Sequence, residues 1–267
     1  MRRVDQLLRA TAIAEARHFW FRGFRAFVTP LLRRAIVGRS DPLLLDCGCG
    51  TGANVEMLGA FGRAFGFDLT EIGLRIGREA GRRRLARASV TAVPFPSATF
   101  DVVTSFDVLY ALEGADERTA IAEMYRLLKP GGFAIVNVAA MNMLRGDHSA
   151  FGGEVRRYSR GELRRALEAG GFEVLRLTYT NATLFAPLAV LRLLQRRRGL
   201  RKEAALQRDI LVPPVPINTI LTAVVRLESV WLRWFDAPFG SSLLCLARKP
   251  VCVAPGTAEG PGEQHDV

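Results

Sequence analysis

The stretch LLLDCGCGTG, residues 43–52, restricts the fold of this chain more than any other feature. A run of leucines ends in an acid, Asp46, and glycines follow at alternate positions, Gly48, Gly50 and Gly52. Such a loop becomes informative when it follows a strand and opens a helix. Gly48 permits a tight turn, Gly50 lets the backbone approach a ligand, and Gly52 lets the next helix pack on a sheet. We also expect free amides at that helix start to offer an anion site.

Short apolar runs alternate with helical segments along the rest of the chain. Strands are predicted at 43–48, 64–69, 88–92, 100–107, 131–141, 172–182 and 241–250. Helices are predicted at 3–37, 53–61, 71–86 and 116–128. Within the first range, Pro30 is expected to open a second helix after a break. A further helix is predicted after Ser159, which would cap it with Glu162 as its capping box. This alternation predicts an α/β domain with a parallel sheet.

An acid also ends the second predicted strand. Asp68 lies where a carboxylate can accept both hydroxyls of a ribose, which indicates an adenosine-bearing cofactor. Gly48, Gly50 and Ala53 also fit the dinucleotide pattern G-x-G-x-x-G/A, so the loop alone does not distinguish the cofactors. Asp46, just ahead of the glycines, favours a cationic cofactor over a pyrophosphate.

Three further stretches are FDVVTSFDVLYAL, EMYRLLKPGGFAIV and AVPFPSATFDVV. With them, about residues 40–180 resemble the class I S-adenosylmethionine-dependent methyltransferases, in particular a small-molecule, type 11-like bacterial group. The resemblance implies a Rossmann-like, seven-stranded, mostly parallel sheet with helices on both faces. Its antiparallel last strand would lie beside residues 172–182, and helical caps would come from the N-terminus and from a late segment.

The same resemblance implies S-adenosyl-L-methionine as the cofactor. The residues that it assigns are Asp46, Gly48, Gly50 and Gly52 for the methionyl part, Asp68 for the ribose, Leu69, Ser89 and Val90 for the adenine, and Phe106 and Asp107 for the sulfonium. Many relatives have an Asp-Ala pair where this chain has Ser89-Val90. The adenine is therefore expected to be held by backbone or by a hydroxyl.

The acceptor is constrained by two loops. The fourth strand ends in Asp107-Val108-Leu109-Tyr110, without the Asn- or Asp-Pro-Pro-aromatic motif of enzymes that methylate adenine amino groups or glutamine amides. The loop after the fifth strand is similar to a bacterial DHD…GH-x-RRY pattern, with Glu154 in place of its histidine. His148, Glu154 and Tyr158 are the catalytic candidates there, with His148 or Glu154 as the base. Alternatively, Arg156 and Arg157 pair with Glu154 and with helix carboxylates and only shape the loop.

Composition leaves the partner open. The formal net charge of +11 comes mainly from arginine and is compatible with nucleic acid, an anionic membrane, an acidic substrate or simply an arginine-rich proteome. The four cysteines lack zinc or disulfide spacing, and Cys47 and Cys49 are interpreted as small packing residues, so no metal is expected. We see no signal peptide and no apolar run of the roughly 20 residues that a membrane span needs. A cytoplasmic protein is expected.

These observations predict a methyltransferase acting on a small, apolar metabolite. The alternatives are an RNA methyltransferase that uses the basic surface, and a cofactor-binding scaffold without transfer chemistry. The expected organisation is an N-terminal helical cap (1–40), a cofactor-binding core (41–182), a helical lid (183–240), a final strand (241–250) and a disordered tail (251–267). The apolar late helices could cover the acceptor pocket with Phe19, Trp20 and Phe24, form a homodimer interface, contact a membrane peripherally beside Arg196–Arg198, or be plain core.

Overall fold

The computed structural model describes residues 2–144, 154–190 and 211–251. Seven strands form one sheet. They are β1 (Leu43–Cys47), β2 (Arg63–Asp68), β3 (Leu85–Arg87), β4 (Phe100–Phe106), β5 (Leu128–Ala139), β6 (Glu173–Thr180) and β7 (Ser242–Arg248). Their order is β3-β2-β1-β4-β5-β7-β6.

The direction of the last strand confirms the fold class. The pairs β1–β2, β1–β4, β2–β3 and β4–β5 are parallel. β7 is inserted between β5 and β6 and is antiparallel to both. The sheet is therefore seven-stranded and mostly parallel, with the final strand next to residues 172–182 as predicted.

The central strands are hydrophobic because helices cover both faces of the sheet. Every residue of β4 is buried, as are the last four residues of β1. Strands buried on both faces form continuous apolar runs rather than alternating patterns. This explains the leucine run that precedes the glycine loop, and it places the end of that run in the middle of the sheet.

Seven helices in the described part of the chain have defined bounds. They are α1 (Arg2–Ala14), α2 (Phe19–Ala35), α3 (Ala53–Leu58), α4 (Glu71–Glu79), α5 (Gly114–Leu127), α6 (Arg160–Ala169) and α7 (Val215–Trp231). Short 3₁₀ helices follow β4 and β5, at Leu109–Ala111 and Asn142–Leu144. The Ser159–Glu162 capping box at the start of α6 is present, as predicted.

The predicted break before Pro30 was wrong. Pro30 lies inside α2, and the chain breaks between Ala14 and Phe19 instead. The buried His18 caps α2, because its Nδ1 accepts the amide of Trp20 at 3.1 Å. Burial lowers the pKa of His18, in keeping with a neutral, capping imidazole.

The predicted helix at 71–86 and strand at 88–92 were also misplaced. α4 ends at Glu79, and Gly81 follows with φ of 81°, a left-handed conformation that stops the helix. The chain then enters β3 at Leu85, three residues before the predicted strand. The left-handed turn at Gly81 sets the end of α4, and the spacing of apolar residues gives no sign of it.

The late helix packs on the N-terminal helices. At Gly23 of α2, an added Cβ would lie 2.2 Å from Cγ1 of Val225 in α7, so glycine allows the two helices to approach closely. Asn218 also accepts the amide of Phe19 and donates to the carbonyl of Arg17, both at 2.9 Å. The segments predicted as an N-terminal cap and as a lid thus share one helical layer, while the proposed domain bounds stay predictions.

Part of the predicted lid lies outside the described residues. Residues 185–190 are helical, and Leu184 and Leu188 are half-buried. Leu191, Leu193, Leu194 and Arg196–Arg198 lie outside the described ranges, as does the predicted tail from residue 252. Among the described helices, none combines the length and apolarity that a bilayer crossing requires.

Candidate functional site

The glycine loop leaves the sheet at the end of β1 and enters α3. Gly48, Gly50 and Gly52 have φ of 77°, 55° and 80°, which side chains other than glycine rarely adopt. Space is also limited at two of them. A Cβ at Gly48 would lie 2.4 Å from Val108, and one at Gly52 would lie 2.9 Å from Leu85. Conformation and packing therefore both require the glycines.

The amides of the glycine loop itself are bonded inside the protein, while the anion site predicted at the start of α3 stays a prediction. The carbonyl of Phe67 in β2 accepts the amides of both Gly48 and Cys49 at 2.9 Å. The amide of Gly50 donates to Asp68 at 2.8 Å, and the amide of Gly52 donates to the Cys49 carbonyl at 2.8 Å. With these four amides bonded inside the protein, the loop does not offer them to a phosphate group.

Asp68 ends β2 beside this loop, as predicted. Its carboxylate accepts the amides of Gly50 and Thr70, each at 2.8 Å, and the hydroxyl of Thr70. A carboxylate has about four acceptor sites, so it can also take hydroxyl donors from a ligand. The adjacent Leu69 is 65% exposed and presents an apolar surface at the same sheet edge. This pair suits a ribose next to a flat heterocycle.

Asp46 is the buried acid of the site. It is 1% exposed, and its Oδ1 accepts the hydroxyl of Thr104 at 2.6 Å from the neighbouring strand β4. No donor among the described residues reaches its Oδ2. Burial, with a smaller contribution from the negative charge of Asp68, raises the pKa of Asp46 to about 7. A buried acid with an unpartnered oxygen is costly unless a donor approaches it.

Phe106 and Asp107 lie at the end of β4, as the sequence predicted. The ring of Phe106 meets that of Phe24 from α2 edge to face, with centroids 4.9 Å apart. Asp107 has φ of 59° and accepts the side-chain amide of Asn137 at 2.9 Å. It is accessible from solvent, but protein surrounds it on most sides, and this loss of bulk water raises the pKa of Asp107 to about 6.

Ser89 and Val90 lie in the turn after β3. The Ser89 hydroxyl lies 2.8 Å from that of Thr91 and accepts the Thr91 amide at 3.2 Å. Glu123 and Arg126 of α5 hold the next part of the loop. Glu123 accepts the Val93 amide at 2.9 Å, and Arg126 donates to the Val93 carbonyl at 3.0 Å. The role of Ser89 and Val90 at an adenine stays a prediction.

Glu154 and Tyr158, the described catalytic candidates of the loop after β5, are each bonded to other residues. Glu154 is buried, and Arg157 donates hydrogen bonds to both of its carboxylate oxygens, at 2.7 and 3.1 Å. Tyr158 is 1% exposed, and its hydroxyl donates to Glu117 of α5 at 2.6 Å. Burial and the Glu117 carboxylate raise the pKa of Tyr158 well above its ordinary value.

These contacts match the alternative in which the arginines shape the loop, because Arg156 also pairs with Glu117. A catalytic role for Glu154 or Tyr158 stays a prediction that this geometry does not favour. His148 lies outside the described residues. The two loop cysteines are buried and free, and burial raises the pKa of both thiols, as expected of packing residues.

Sequence reasoning missed a buried polar cluster that joins the N-terminal region to the glycine loop. Glu15 accepts the hydroxyl of Thr51 at 2.6 Å and pairs with Arg82 at 2.5 Å. Arg82 also donates to the Thr51 carbonyl at 3.0 Å. Thr51 lies within the loop, but Glu15 and Arg82 are in helical and basic stretches that look solvated in the sequence. Asn137, a polar residue within the apolar strand β5, is a sequence signal for a second polar contact, because it bonds to Asp107.

Comparison with known proteins agrees with this geometry. Residues 45–136 match the model of a family described as a methyltransferase domain. The ubiquinone/menaquinone biosynthesis C-methyltransferase UbiE of Marinomonas sp. is 32% identical over 110 residues, 37% of this chain and 43% of that protein. The demethylmenaquinone methyltransferase of Anoxybacillus flavithermus is 35% identical over 99 residues, 33% and 40% of the two chains. This chain therefore spans less than half the length of these two relatives.

Solved structures share the fold over most of the chain. The S-adenosylmethionine-dependent methyltransferase of Mesorhizobium loti has a TM-score of 0.51 and 17% identity, covering 83% of this chain and 97% of that one. Residues 45–136 therefore match a methyltransferase domain, and most of the chain has the fold of class I S-adenosylmethionine-dependent methyltransferases.

Proteins of this family and fold use S-adenosylmethionine, and the residues present fit it. The unpartnered, buried oxygen of Asp46 suits a cationic group with N–H donors, as the methionyl ammonium is. Asp68 retains acceptor capacity for a ribose. The internally bonded amides of the loop, by contrast, do not suit the pyrophosphate of a dinucleotide. These features suit S-adenosylmethionine better than a dinucleotide.

Proposed function

We propose that this protein transfers a methyl group from S-adenosylmethionine to a small, apolar metabolite. The proposal rests on a combination of two features. One buried oxygen of Asp46 has no partner among the described residues, and the amides of the neighbouring glycine loop are already bonded within the protein. S-adenosylmethionine supplies a methyl group on positively charged sulfur. The protein residues then need to bind and orient the two reactants, which can account for much of the acceleration.

An apolar acceptor is supported by the aromatic surface at the sheet edge. Phe24 of α2 contacts Phe106 at the end of β4, and Phe19 packs against the same core. The partial matches with quinone C-methyltransferases agree with an acceptor that has a large apolar part. The shared α2–α7 layer supports the proposed cover over this surface.

Asp107 is the described acid best placed to take a proton from an acceptor. It lies at the end of β4, is accessible, and keeps one carboxylate oxygen engaged by Asn137. With its pKa raised to about 6, it is largely ionised at neutral pH and close to the value that suits a general base. Glu154 is less suited, because Arg157 binds both of its oxygens.

The cofactor assignment is tested by isothermal titration with S-adenosylhomocysteine and, in parallel, with NAD. We expect S-adenosylhomocysteine to bind and NAD not to bind. Binding of NAD, or no heat with millimolar S-adenosylhomocysteine, would show that the cofactor is misassigned.

The acceptor is sought with methyl-labelled S-adenosylmethionine and fractionated small-molecule extracts, with Asp107→Asn as the control variant. Label is expected in an apolar fraction, with reduced incorporation by the variant at saturating S-adenosylmethionine. Cofactor binding without any labelled product would favour a scaffold. Label in a tRNA pool, with salt-sensitive binding, would favour an RNA substrate.

A further inference from the structure

Helix α7 buries a mainly polar face and leaves apolar side chains exposed. Asn218, Thr222 and Val225 are buried on the inner face, toward α2. Large apolar side chains are exposed elsewhere on the helix and in the turn after it, and we name five of them the outer stripe. Its members are Ile217, Ile220, Leu227, Trp231 and Trp234. A surface helix normally turns its apolar face to the core, so the outer stripe needs another explanation.

The described part of the chain leaves the outer stripe largely exposed. Trp234 is 80% exposed, Leu227 70% and Ile220 63%. The aromatic surface continues past the helix end, where Phe235 stacks on Trp231 with ring centroids 5.6 Å apart. Contiguous exposed apolar surface on a folded domain marks an interaction site.

The residue types on this face indicate a lipid interface. Two of the three tryptophans of the chain, Trp231 and Trp234, lie on it. Tryptophan is enriched where protein meets the headgroup region, because its ring is apolar and its N–H needs a polar partner. A helix that lies in the interface combines such residues with arginine on its polar side.

The charge beside the outer stripe selects an anionic surface. Arg226 and Arg233 are both exposed on one flank of it. The nearby acids are engaged elsewhere: the buried Glu228 accepts the amides of Ala182 and Thr183 at 2.8 and 3.0 Å, and Asp236 pairs with Arg176 at 3.0 Å. If a second copy of this helix packed on the outer stripe, its arginines would approach the arginines of the first copy and repel them.

We propose that the outer stripe of α7 docks this protein on an anionic phospholipid bilayer, with the helix parallel to the membrane plane. The tryptophans would enter the headgroup region, and Arg226 and Arg233 would contact lipid phosphates. This places a protein without a described spanning helix at the membrane surface, independently of the reaction that it catalyses.

The test is cosedimentation of the full chain with vesicles of phosphatidylcholine alone or mixed equally with phosphatidylglycerol. We expect binding to the anionic vesicles and much weaker binding to the neutral ones. Trp231→Ser with Trp234→Ser should weaken it about tenfold or more, since two large apolar side chains no longer leave water. Arg226→Gln with Arg233→Gln should weaken it about 30-fold, since each arginine near an anionic surface contributes roughly a factor of five.

Matched controls separate this effect from general loss of apolar surface. Ile13 and Val37 are each 78% exposed on the N-terminal helical region, so Ile13→Ser with Val37→Ser should bind like the unchanged protein. Brominated phosphatidylcholine in the anionic vesicles should quench the fluorescence of the unchanged protein. In the double tryptophan variant, whose remaining tryptophan is Trp20, that quenching should disappear.

Three results would overturn the proposal. The first is no binding to anionic vesicles at low salt, and the second is equal binding by the stripe variants and the control. The third is a homodimer in light scattering that the tryptophan substitutions dissociate, in the absence of vesicle binding, which would assign the face to a second copy.

Discussion

Single buried acids determine what this site can hold. Asp46 lies on the central strand, where its strand neighbours exclude water, and one of its oxygens is left without a donor. Asp68, only one strand away, is half-buried and has three protein donors. The difference between these two carboxylates is one of environment, since their residue type is the same.

Asp46→Asn is expected to stabilise the unliganded protein at neutral and alkaline pH. The folded-state pKa is raised from 3.8 to about 7, so the stability that the neutral acid provides is complete below pH 3.8 and is lost as the pH rises through 7. The asparagine variant lacks this loss. Relative to the unchanged protein, its free energy of unfolding should rise by up to about 4 kcal/mol between pH 4 and pH 8.

The measurement is urea unfolding across that pH range, with the exposed Asp116→Asn as a control that should show little change. The same Asp46→Asn variant should bind S-adenosylhomocysteine more weakly, since a neutral amide attracts an ammonium less. Parallel pH curves for the Asp46 variant and the unchanged protein would contradict the burial argument.

Asp68→Ala is expected to weaken S-adenosylhomocysteine binding by about tenfold or more. A hydrogen bond to a charged group contributes roughly 1.5–3 kcal/mol, and this substitution also frees the Gly50 amide. Asp68→Asn keeps one acceptor and should have an intermediate dissociation constant by titration calorimetry, while the exposed Glu79→Gln should have none of this effect. Unchanged affinity in Asp68→Ala would mean that the acid does not contact the cofactor.

Helix pairs determine how the α2–α7 layer is held together. α2 and α7 approach closely at Gly23 and Val225, and Asn218 of α7 joins the start of α2 by two hydrogen bonds. Val225 is a β-branched residue with restricted rotamers, so it has little freedom to move aside.

Gly23→Ala is expected to lower the free energy of unfolding by about 1–3 kcal/mol, since a Cβ would lie 2.2 Å from Val225. Adding Val225→Ala should recover much of that loss, and urea unfolding of the double-mutant cycle measures the coupling. In Gly161→Ala, by contrast, the new Cβ meets only the Arg165 guanidinium at 3.4 Å, and stability should rise slightly. If the changes in free energy of unfolding of the two single variants simply add in the double variant, the helices can separate without cost.

At the scale of the whole molecule, a buried ion pair connects the N-terminal region to the glycine loop. Glu15 and Arg82 are far apart in the chain, and Thr51 of the loop bonds to both. Burying such a pair costs desolvation, so removing one partner is more harmful than the pair is favourable.

Glu15→Gln is expected to destabilise the protein by about 3 kcal/mol, the lower end for a broken buried pair, because Arg82 keeps Glu56 at 3.2 Å. The amides of Gly50 and Gly52 should exchange hydrogen faster in this variant, because Thr51 loses its charged partner. Hydrogen exchange read by mass spectrometry, with the exposed Glu79→Gln as control, checks this. Unchanged exchange in the loop would mean that Glu15 supports α1 alone.

The sequence by itself determined the features that depend on near neighbours. The leucine run, the alternate glycines, the Ser159 capping box and the acids that end β1 and β2 all follow from local conformation and burial pattern. The direction and place of β7 were also predicted, although from family resemblance rather than periodicity.

Only the tertiary structure decided what depends on partners far along the chain. The carbonyl of Phe67 accepts two amides of the glycine loop, and Glu117 accepts the hydroxyl of the buried Tyr158. The tertiary structure also determined that α7 buries mainly polar residues while the apolar outer stripe is exposed. The physical reason is that hydrogen-bond capacity and solvent exposure are properties of the folded surroundings, and residue type alone does not contain them.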